Sequence, residues 1–282
     1  MSTLPDGLIA IVKRDCPTCT LIEPLLCDLA GLTVYSQDDP AFPGGVPGVL
    51  DDRGLETSCR LGIEIVPILI RMEGGSETGR IMGWNREEWR GFTGIDGLGE
   101  GLPENQPGCG ALNIESGRPE ELAARFGDTG LDSERLSFNA SADIMEICFE
   151  WGWTDGLPVT PPTEARVLRM LKGTVRDPGE VLGPMAPDYA PCSIEKVAIN
   201  AVMASCKPEY LPVVLAAVEA VVDPGFGLHL VLGTTSFVGP MIVVNGPIAK
   251  AIGMNSAGNV LGQGNRANVS VVKTFGTIDP VS

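Results

Sequence analysis

A pair of cysteines between an apolar run and a helical pattern constrains the fold of this chain more than any other feature. Residues 7–12 predict a short buried strand, and residues 20–26 predict a helix. Cys16 and Cys19 lie between them. The first thiol would lie near the free N–H groups of the helix, whose partial positive charge stabilises a thiolate. The second would follow about one turn later, close enough to form a disulfide, so the pattern favours a redox pair.

Two cysteines at this spacing are also half of a zinc site. A zinc site would need a second pair of ligands, and the chain contains no other Cys-x-x-Cys sequence. The strand-to-helix context therefore favours redox chemistry over metal binding. We expect neither a metal nor another cofactor.

Composition and charge limit the kinds of partner. The chain has 282 residues, enough for two domains, and its 44% hydrophobic and 20% charged residues predict globular cores. The net charge of −16 argues against a nucleic-acid or anionic-membrane partner, both of which require a basic face. We expect a protein or small-molecule partner that carries a thiol or a disulfide, and the oligomeric state stays open.

No stretch of the sequence predicts secretion or a membrane span. The first apolar run is short and has no basic segment before it. Residues 228–244 are the longest apolar stretch, but glycines and a proline interrupt it, so two buried strands explain it better. We therefore expect a cytoplasmic protein whose eight cysteines are reduced, catalytic or buried.

Strand and helix patterns alternate over residues 1–92, which predicts an α/β domain. Strands are expected at 32–35, 63–71 and 78–82, and helices at 55–61 and 85–92. Residues 93–140 are expected to be a linker, rich in glycine and proline, with one short helix at 119–126. Residues 141–282 form the predicted second domain, of α/β or α+β class.

Cys109 lies inside the predicted linker. Two interpretations are open for it. It is either an incidental exposed thiol or a mobile third cysteine that reaches Cys16.

Residues 1–92 resemble a thioredoxin/glutaredoxin-superfamily domain. The resemblance is carried by the Cys-Pro-Thr-Cys sequence, a proline five residues later, a proline at a strand start, a Gly-Gly hairpin and a glycine before the last helix. These residues are Cys16, Pro17, Thr18, Cys19, Pro24, Ile65, Val66, Pro67, Gly74, Gly75 and Gly83.

The resemblance implies a thioredoxin-like α/β fold and a role for each site residue. Cys16 would be the nucleophile and Cys19 would resolve the mixed disulfide. The residues of the implied substrate groove are Pro17, Thr18, Val66 and Pro67. The peptide bond before Pro67 would be cis, which is uncommon enough to be a specific test.

One feature departs from the superfamily pattern. Many thioredoxins carry a buried acid on the strand before the cysteines, and residues 8–12 contain none. Asp15 is expected to be exposed, and its charge would raise the pKa of the neighbouring Cys16 thiol rather than lower it. We therefore expect a dedicated substrate rather than general protein-disulfide reduction.

The second half has its own group of candidate residues around a predicted helix. Ser193 is a good N-cap for that helix, and Cys192, Lys196 and Asn200 recur every four residues on one side of it. A helix start and a nearby lysine would both favour a Cys192 thiolate. The alternative is a solvated polar face that carries an incidental cysteine.

Further candidates lie near the end of the chain. His229, the single histidine, falls in a strand-like run and is either a satisfied buried side chain or a catalyst. Asn245 can cap a short helix that begins at Pro247. Residues 255–268 are rich in glycine and asparagine, and include Asn265 and Arg266. They suit a carboxylate or another small anion, or else form structural turns.

Residues 150–268 resemble a bacterial family of uncharacterised proteins, the UGSC-like family. Residues 155–164, 243–247 and 264–268 carry this resemblance, which implies no particular reaction. Chains of that kind run on well past this point, and residues 271–282 do not resemble the continuation. We therefore expect a domain truncated at its C-terminus, with part of its core uncovered.

Three functions follow as hypotheses. The leading one is a thiol–disulfide oxidoreductase in which Cys16 attacks and Cys19 resolves, serving a dedicated substrate or the fused domain. The second is a cysteine-dependent lyase or transferase that uses Cys192 and Lys196, with the first domain as its reductant. The third is a non-enzymatic redox-sensing or binding module.

Overall fold

The apolar run before the cysteine pair forms the middle strand of a five-stranded sheet. In the computed structural model, which describes residues 4–139, 141–154, 156–236 and 238–277, the chain divides into two units, Met1–Gly127 and Asp128–Ser282. The fold is mixed α/β, and each unit has its own apolar core.

Unit 1 contains nine short strands, four helices and a 3₁₀ turn at Leu112–Ile114 within its described residues. The strands are β1 (Gly7–Val12), β2 (Thr33–Ser36), β3 (Leu50–Asp51), β4 (Ile65–Val66), β5 (Ile68–Glu73), β6 (Ser76–Met82), β7 (Trp84–Asn85), β8 (Asn105–Gln106) and β9 (Cys109–Gly110). The helices are α1 (Pro17–Asp28), α2 (Glu56–Arg60), α3 (Arg86–Thr93) and α4 (Arg118–Phe126).

The main sheet of unit 1 has the strand order β3-β2-β1-β5-β6. The strands β1, β2 and β3 run parallel, whereas β5 is antiparallel to β1 and β6 is antiparallel to β5. Residues 9–12 of β1 are each at most 1% exposed. The apolar side chains of β1 pack on both faces of the sheet, so the strand is held firmly in place. The start of α1, which follows β1, is therefore held in place as well.

The strand and helix predictions for residues 1–92 agree with the structure to within a few residues. The exception is the predicted strand over 63–71, which Pro67 divides into β4 and β5. Proline has no backbone N–H to donate to a strand ladder, so the pairing changes partner at that position.

The predicted linker is wrong over residues 93–127, which belong to unit 1. There β8 pairs with β7, and β9 pairs with β4. Two of the glycines that suggested a linker are required by close packing. A Cβ on Gly99 would lie 2.3 Å from the Trp84 ring, and a Cβ on Gly108 would lie 2.8 Å from the carbonyl oxygen of Val66. Composition alone does not distinguish such glycines from those of a flexible chain.

Unit 2 contains seven helices, one hairpin and a 3₁₀ turn at Pro208–Tyr210 within its described residues. The helices are α5 (Ile144–Glu150), α6 (Glu164–Leu171), α7 (Ile194–Met203), α8 (Leu211–Val222), α9 (Leu228–Gly233), α10 (Pro247–Ala251) and α11 (Arg266–Thr277). The antiparallel hairpin joins β10 (Val181–Met185) and β11 (Ala190–Ser193).

The core of unit 2 is built on α7 and α8, as their apolar patterns predict. Val197, Ala198 and Ala201 of α7 are buried together with Val214 and Val218 of α8. The predicted N-cap of α7 is confirmed, since the Ser193 hydroxyl accepts a hydrogen bond from the Lys196 amide at 3.3 Å.

The two buried strands predicted for residues 228–244 are wrong. The first half is α9, which follows Gly227 at a φ of 67°, and residues 238–245 have no regular structure. A short apolar run has no periodicity that separates a strand from a helix, which explains the error. The larger apolar side chains here are also exposed rather than buried: Leu230, Leu232, Val238, Met241 and Val243.

Within the described ranges, no helix is both long and apolar enough to cross a membrane. Two positions named above, Asp155 and residues 278–282, fall outside those ranges.

Candidate functional site

Cys16 occupies the N-cap position of α1, with an extended backbone at φ −149°. Its sulfur accepts a hydrogen bond from the Cys19 amide at 3.3 Å. Pro17 fits the first helical position because its ring sets the backbone for a helix and its nitrogen has no hydrogen to satisfy. The expectation that the first thiol lies at the free N–H groups of the helix is confirmed.

The surroundings of Cys16 lower its pKa to about 5. The largest cause is a hydrogen bond from the Cys19 side chain, and the Cys109 side chain and the amides of Cys19 and Thr18 add to it. Burial acts in the opposite direction without outweighing them. Asp15 is exposed, as expected, but the expected rise of the Cys16 pKa is wrong, because the hydrogen-bond donors lower it.

Cys19 is the complementary member of the pair. It is fully buried, and burial raises the pKa of its thiol, to which the hydrogen bond with Cys16 contributes further. In the reduced pair, Cys16 is therefore the thiolate and Cys19 the thiol at neutral pH. The eight cysteines, all among the described residues, are free thiols.

Of the residues implied as a substrate groove, Val66 contacts Cys16 across the fold, and Pro17 and Thr18 follow it in α1. The peptide bond between Val66 and Pro67 is cis, as the resemblance implies. The Cys16 sulfur lies 3.6 Å from the Val66 carbonyl oxygen. Thr18, Val66 and Pro67 are buried, however, and only Pro17 is exposed.

A short segment around Cys109 packs against these residues. Cys109 on β9 is paired with Val66 on β4 in antiparallel register. The Thr18 hydroxyl donates to the Pro107 carbonyl at 2.6 Å, and the Lys13 ammonium donates to the Gly110 carbonyl at 2.8 Å. Cys16 is consequently only 1% exposed, whereas Cys109 is half-buried.

Of the two interpretations of Cys109, the structure favours the one in which it reaches Cys16. It does so from an ordered strand rather than from a mobile linker. Burial and the hydrogen bond with Cys16 raise the pKa of the Cys109 thiol. The site therefore holds three cysteines.

A buried polar side chain anchors the segment that follows β9. Gln37 accepts from the Leu112 amide at 3.0 Å, and its own amide group donates to Ser58 at 2.7 Å and to Asn113 at 3.2 Å. Sequence reasoning missed Gln37 because its partners lie far along the chain. The only local signal was a polar residue directly after an apolar strand.

Three of the candidates in unit 2, Cys192, Lys196 and Asn200, line one cavity of about 630 Å³. Lys196 and Asn200 share a side of α7, as predicted, but Cys192 is not on the helix. The predicted Cys192 thiolate is wrong. Cys192 lies on β11 before the N-cap, is 5% exposed, and burial raises its pKa to about 11. Burial outweighs the helix start and the lysine here because no donor to its sulfur lowers the pKa.

His229 and Asn245 are both on the surface. His229 lies on α9 rather than on a strand, and its exposed ring stacks on Tyr189 with a centroid separation of 5.8 Å. The expectation that it is buried is therefore wrong. The N-cap of α10 is Gly246, and Asn245 is not the cap that we predicted, because the chain enters the helix one residue later.

The glycine- and asparagine-rich loop uses its polar groups internally. The Asn265 side chain donates to the Gly253 carbonyl at 2.9 Å and accepts from the Asn268 amide at 3.0 Å. The Arg266 guanidinium donates twice to the Ser205 carbonyl, at 2.8 and 3.0 Å. Asn259 holds a left-handed backbone at φ 59°. These contacts favour structural turns over an anion site.

No group of three or more histidine, cysteine, aspartate or glutamate side chains in the described part of the chain could hold a metal ion. A comparison with protein-family models gave no match, and neither did comparisons with curated proteins or with solved structures.

Proposed function

We propose that this chain is a thiol–disulfide oxidoreductase in which Cys16 is the nucleophile and Cys19 the resolving cysteine. One observation carries the proposal: the Cys16 sulfur accepts hydrogen bonds at the start of α1, and its pKa is lowered to about 5. A thiolate at neutral pH is the reactive form of cysteine, and a second thiol one helical turn away is what a disulfide requires.

The reaction moves two electrons from the pair to a target disulfide. The Cys16 thiolate attacks one target sulfur, so a Cys16–target disulfide forms and the first target thiolate leaves. Cys19 then loses its proton and attacks the Cys16 sulfur. The second target thiolate leaves and a Cys16–Cys19 disulfide remains. Loss of the Cys16 negative charge in the first step removes one cause of the raised Cys19 pKa, which favours the second step.

Unit 1 is, in this proposal, a thioredoxin-like domain with Val66 and Pro67 forming the wall of the groove that faces the cysteines. The position of the pair between β1 and α1 supports this assignment, as does the contact of the Cys16 sulfur with the Val66 carbonyl. The resemblance of unit 2 to the UGSC-like family remains part of the same proposal and assigns no reaction to it.

Cys109 gives the oxidised, buried pair a route to the external thiol that reduces it. Cys16 and Cys19 are at most 1% exposed, and Cys109 is the one thiol of the three that solvent reaches. The Cys109 thiolate can attack Cys16 in the Cys16–Cys19 disulfide, which releases Cys19 and forms a Cys16–Cys109 disulfide without any added oxidant. An external thiolate can then attack Cys109. The leaving group is Cys16, whose low pKa makes it leave fast.

The partner is a protein or small molecule that carries a thiol or a disulfide, in the cytoplasm, where glutathione and thioredoxin systems keep such pairs in exchange. The net charge of −16 supports a partner without a strong negative charge of its own. A covered groove admits few substrates, which supports a dedicated one.

The competing lyase or transferase hypothesis has less support. It requires a nucleophilic Cys192, and burial raises the pKa of that thiol to about 11. The non-enzymatic alternative, a redox sensor, uses the same cysteines and differs only in whether turnover occurs.

Trapping of the mixed disulfide tests the proposal. In Cys19→Ser/Cys109→Ser, which lacks both thiols that can displace a target from Cys16, the target should stay bound to Cys16 through a disulfide that mass spectrometry identifies. The matched control is Cys16→Ser/Cys19→Ser/Cys109→Ser, which should trap nothing at this site. Equal thiol reactivity at neutral pH in Cys16→Ser and in the wild type would refute the assignment of Cys16 as the nucleophile.

A further inference from the structure

The cavity of unit 2 has an apolar body with a few polar groups on one wall. Its volume of about 630 Å³ lies within the range of sites that hold small organic molecules, about 300–1,000 Å³. Side chains from α5, α6, α7 and residues 131–138 line it. The larger apolar ones are Leu131, Phe138, Ile147, Trp153, Val167 and Met203.

Asn200 presents an unsatisfied acceptor in this wall. The residue is 6% exposed, and its amide nitrogen donates to the Lys196 carbonyl at 2.9 Å. Its side-chain oxygen is buried and has no hydrogen-bond partner among the residues that the structure describes. Buried polar atoms are almost always paired, so an unpaired acceptor on a side chain that lines a cavity indicates an N–H or O–H donor on a bound molecule.

Lys196 places a cation next to that acceptor. It is half-buried, lines the cavity, and is four residues from Asn200 on the same face of α7. Within the described ranges, its ammonium has no ion pair or hydrogen bond. The other charged side chains that line the cavity have partners or are exposed. Glu195 accepts from the amides of Asp132 and Ser133 at 2.9 Å each. Arg135 pairs with Glu164 at 2.9 Å, and Glu134 is exposed.

We infer that this cavity binds a small amphipathic organic anion. The apolar part of the anion would fill the cavity, and its carboxylate-type group would pair with Lys196. An N–H or O–H group of the same molecule would donate to the Asn200 oxygen. The inference does not depend on the redox proposal for unit 1, because every residue that carries it lies in unit 2. It also gives Lys196 and Asn200 a role that does not need a Cys192 thiolate.

A fluorescent probe with all three features tests the inference on the full chain. 1-Anilinonaphthalene-8-sulfonate has an apolar body, an anionic group and an N–H donor, and it fluoresces when its surroundings are apolar. We expect Lys196→Met and Asn200→Leu each to weaken its binding by about tenfold, because each removes one hydrogen-bonding partner of the probe. The matched control, Lys250→Met on the exposed surface of α10, should bind as the wild type does.

Competition identifies the chemical group that Lys196 recognises. 4-Phenylbutyrate should displace the probe from the wild type, whereas the neutral 4-phenylbutanol should displace it far less, and Lys196→Met should abolish this preference. Far-ultraviolet circular dichroism and the apparent Tm identify a variant that has lost its fold. Unchanged probe affinity in both folded cavity variants would overturn the inference, and would place the probe on exposed apolar side chains such as Leu230 and Met241. A wild-type protein that did not distinguish the two competitors would overturn it as well.

Discussion

Two buried cysteines near helix starts have opposite acidities in this protein. Cys16 and Cys192 are 1% and 5% exposed, yet the pKa of the first is lowered to about 5 and that of the second is raised to about 11. The difference is one of hydrogen bonding. The Cys16 sulfur occupies the N-cap itself and accepts from Cys19, whereas Cys192 precedes the N-cap residue Ser193. Closeness to a helix start is therefore not enough, since the sulfur has to accept the donors directly.

The largest expected difference between the two cysteines is in their reactivity. At pH 7 a thiol with a pKa of about 11 is ionised about 10⁴-fold less than one that is fully thiolate. Since the pKa of Cys16 is lowered, its thiolate persists as the pH falls and is lost only near pH 5. Iodoacetamide labelling followed by peptide mass spectrometry should give a Cys16 rate that is flat from pH 7 to 8 and halves near pH 5. Cys192→Ser should leave this profile unchanged, and a Cys16 inflexion near pH 8.5 would contradict the assignment.

Removal of the third cysteine should make the surroundings of Cys16 more like those of Cys192. Cys109→Ala removes the thiol that donates to the Cys16 thiolate and puts no donor in its place, so the pKa of Cys16 should rise and the pair should become more reducing. The expected shift of the Cys16–Cys19 potential is about 30 mV for each unit by which the pKa rises. A glutathione redox titration measures it. Cys59→Ala, at a half-buried cysteine of the same unit, is the control.

A different variant, Cys19→Ser, tests the route through Cys109. Diamide oxidation of Cys19→Ser should yield a Cys16–Cys109 disulfide in peptide maps, and Cys59 should stay reduced. Exclusive Cys16–glutathione adducts in the presence of glutathione would instead mean that β9 moves away and that Cys109 takes no part.

The cysteine pair could be predicted from sequence because all of its determinants are local. An apolar strand, two cysteines and a helix follow one another within residues 7–28, and the N-cap geometry follows from that order. The environment of Cys16 could not be predicted, because Val66 and Cys109 pair across more than forty residues. Glycines such as Gly108, which permit this pairing, look like linker residues in the sequence. The helix start next to Cys16 was visible in the sequence, but the donor from Cys109 was not.

In unit 2 as well, features set by local residue spacing were predicted correctly, whereas features that depend on the surrounding fold were not. The helical periodicity of α7 placed Lys196 and Asn200 on one face correctly, since 3.6-residue spacing is a local rule. The acidity of Cys192 was predicted wrongly because burial depends on the surrounding fold. The run at 228–232 was predicted wrongly as well, because a short apolar segment fits both a strand and a helix.

The addition of a single methyl group at Gly108 should show how far β9 limits access to Cys16. The Cβ of Gly108→Ala would lie 2.3 Å from the Ile65 side chain and 2.8 Å from the Val66 carbonyl, so β9 has to separate from β4. We expect a loss of about 1–3 kcal/mol in the free energy of unfolding and faster labelling of Cys16. Urea denaturation and iodoacetamide labelling measure these effects.

Gly110→Ala provides the matched control for this substitution. Its Cβ would meet nothing closer than 3.7 Å, so both measurements should stay near the wild-type values. Wild-type labelling of Cys16 in Gly108→Ala would mean that β9 does not limit access to the thiolate.

The smallest effect should come from the helix cap beside Cys192. Ser193 caps α7 through its hydroxyl, as the Cys16 sulfur caps α1, so Ser193→Ala should cost about 1 kcal/mol in the free energy of unfolding. Thr163→Ala is the matched control, because Thr163 stands at the N-cap of α6 without a side-chain hydrogen bond of this kind in the described structure. The Ser193 hydroxyl does not stabilise a negative charge on Cys192, so its removal should leave the labelling profile of Cys192 unchanged. An increase in Cys192 labelling at neutral pH would mean that the Ser193 hydroxyl occupies amides from which the Cys192 sulfur could otherwise accept hydrogen bonds. The difference in acidity between Cys16 and Cys192 would then be due to this one competing side chain.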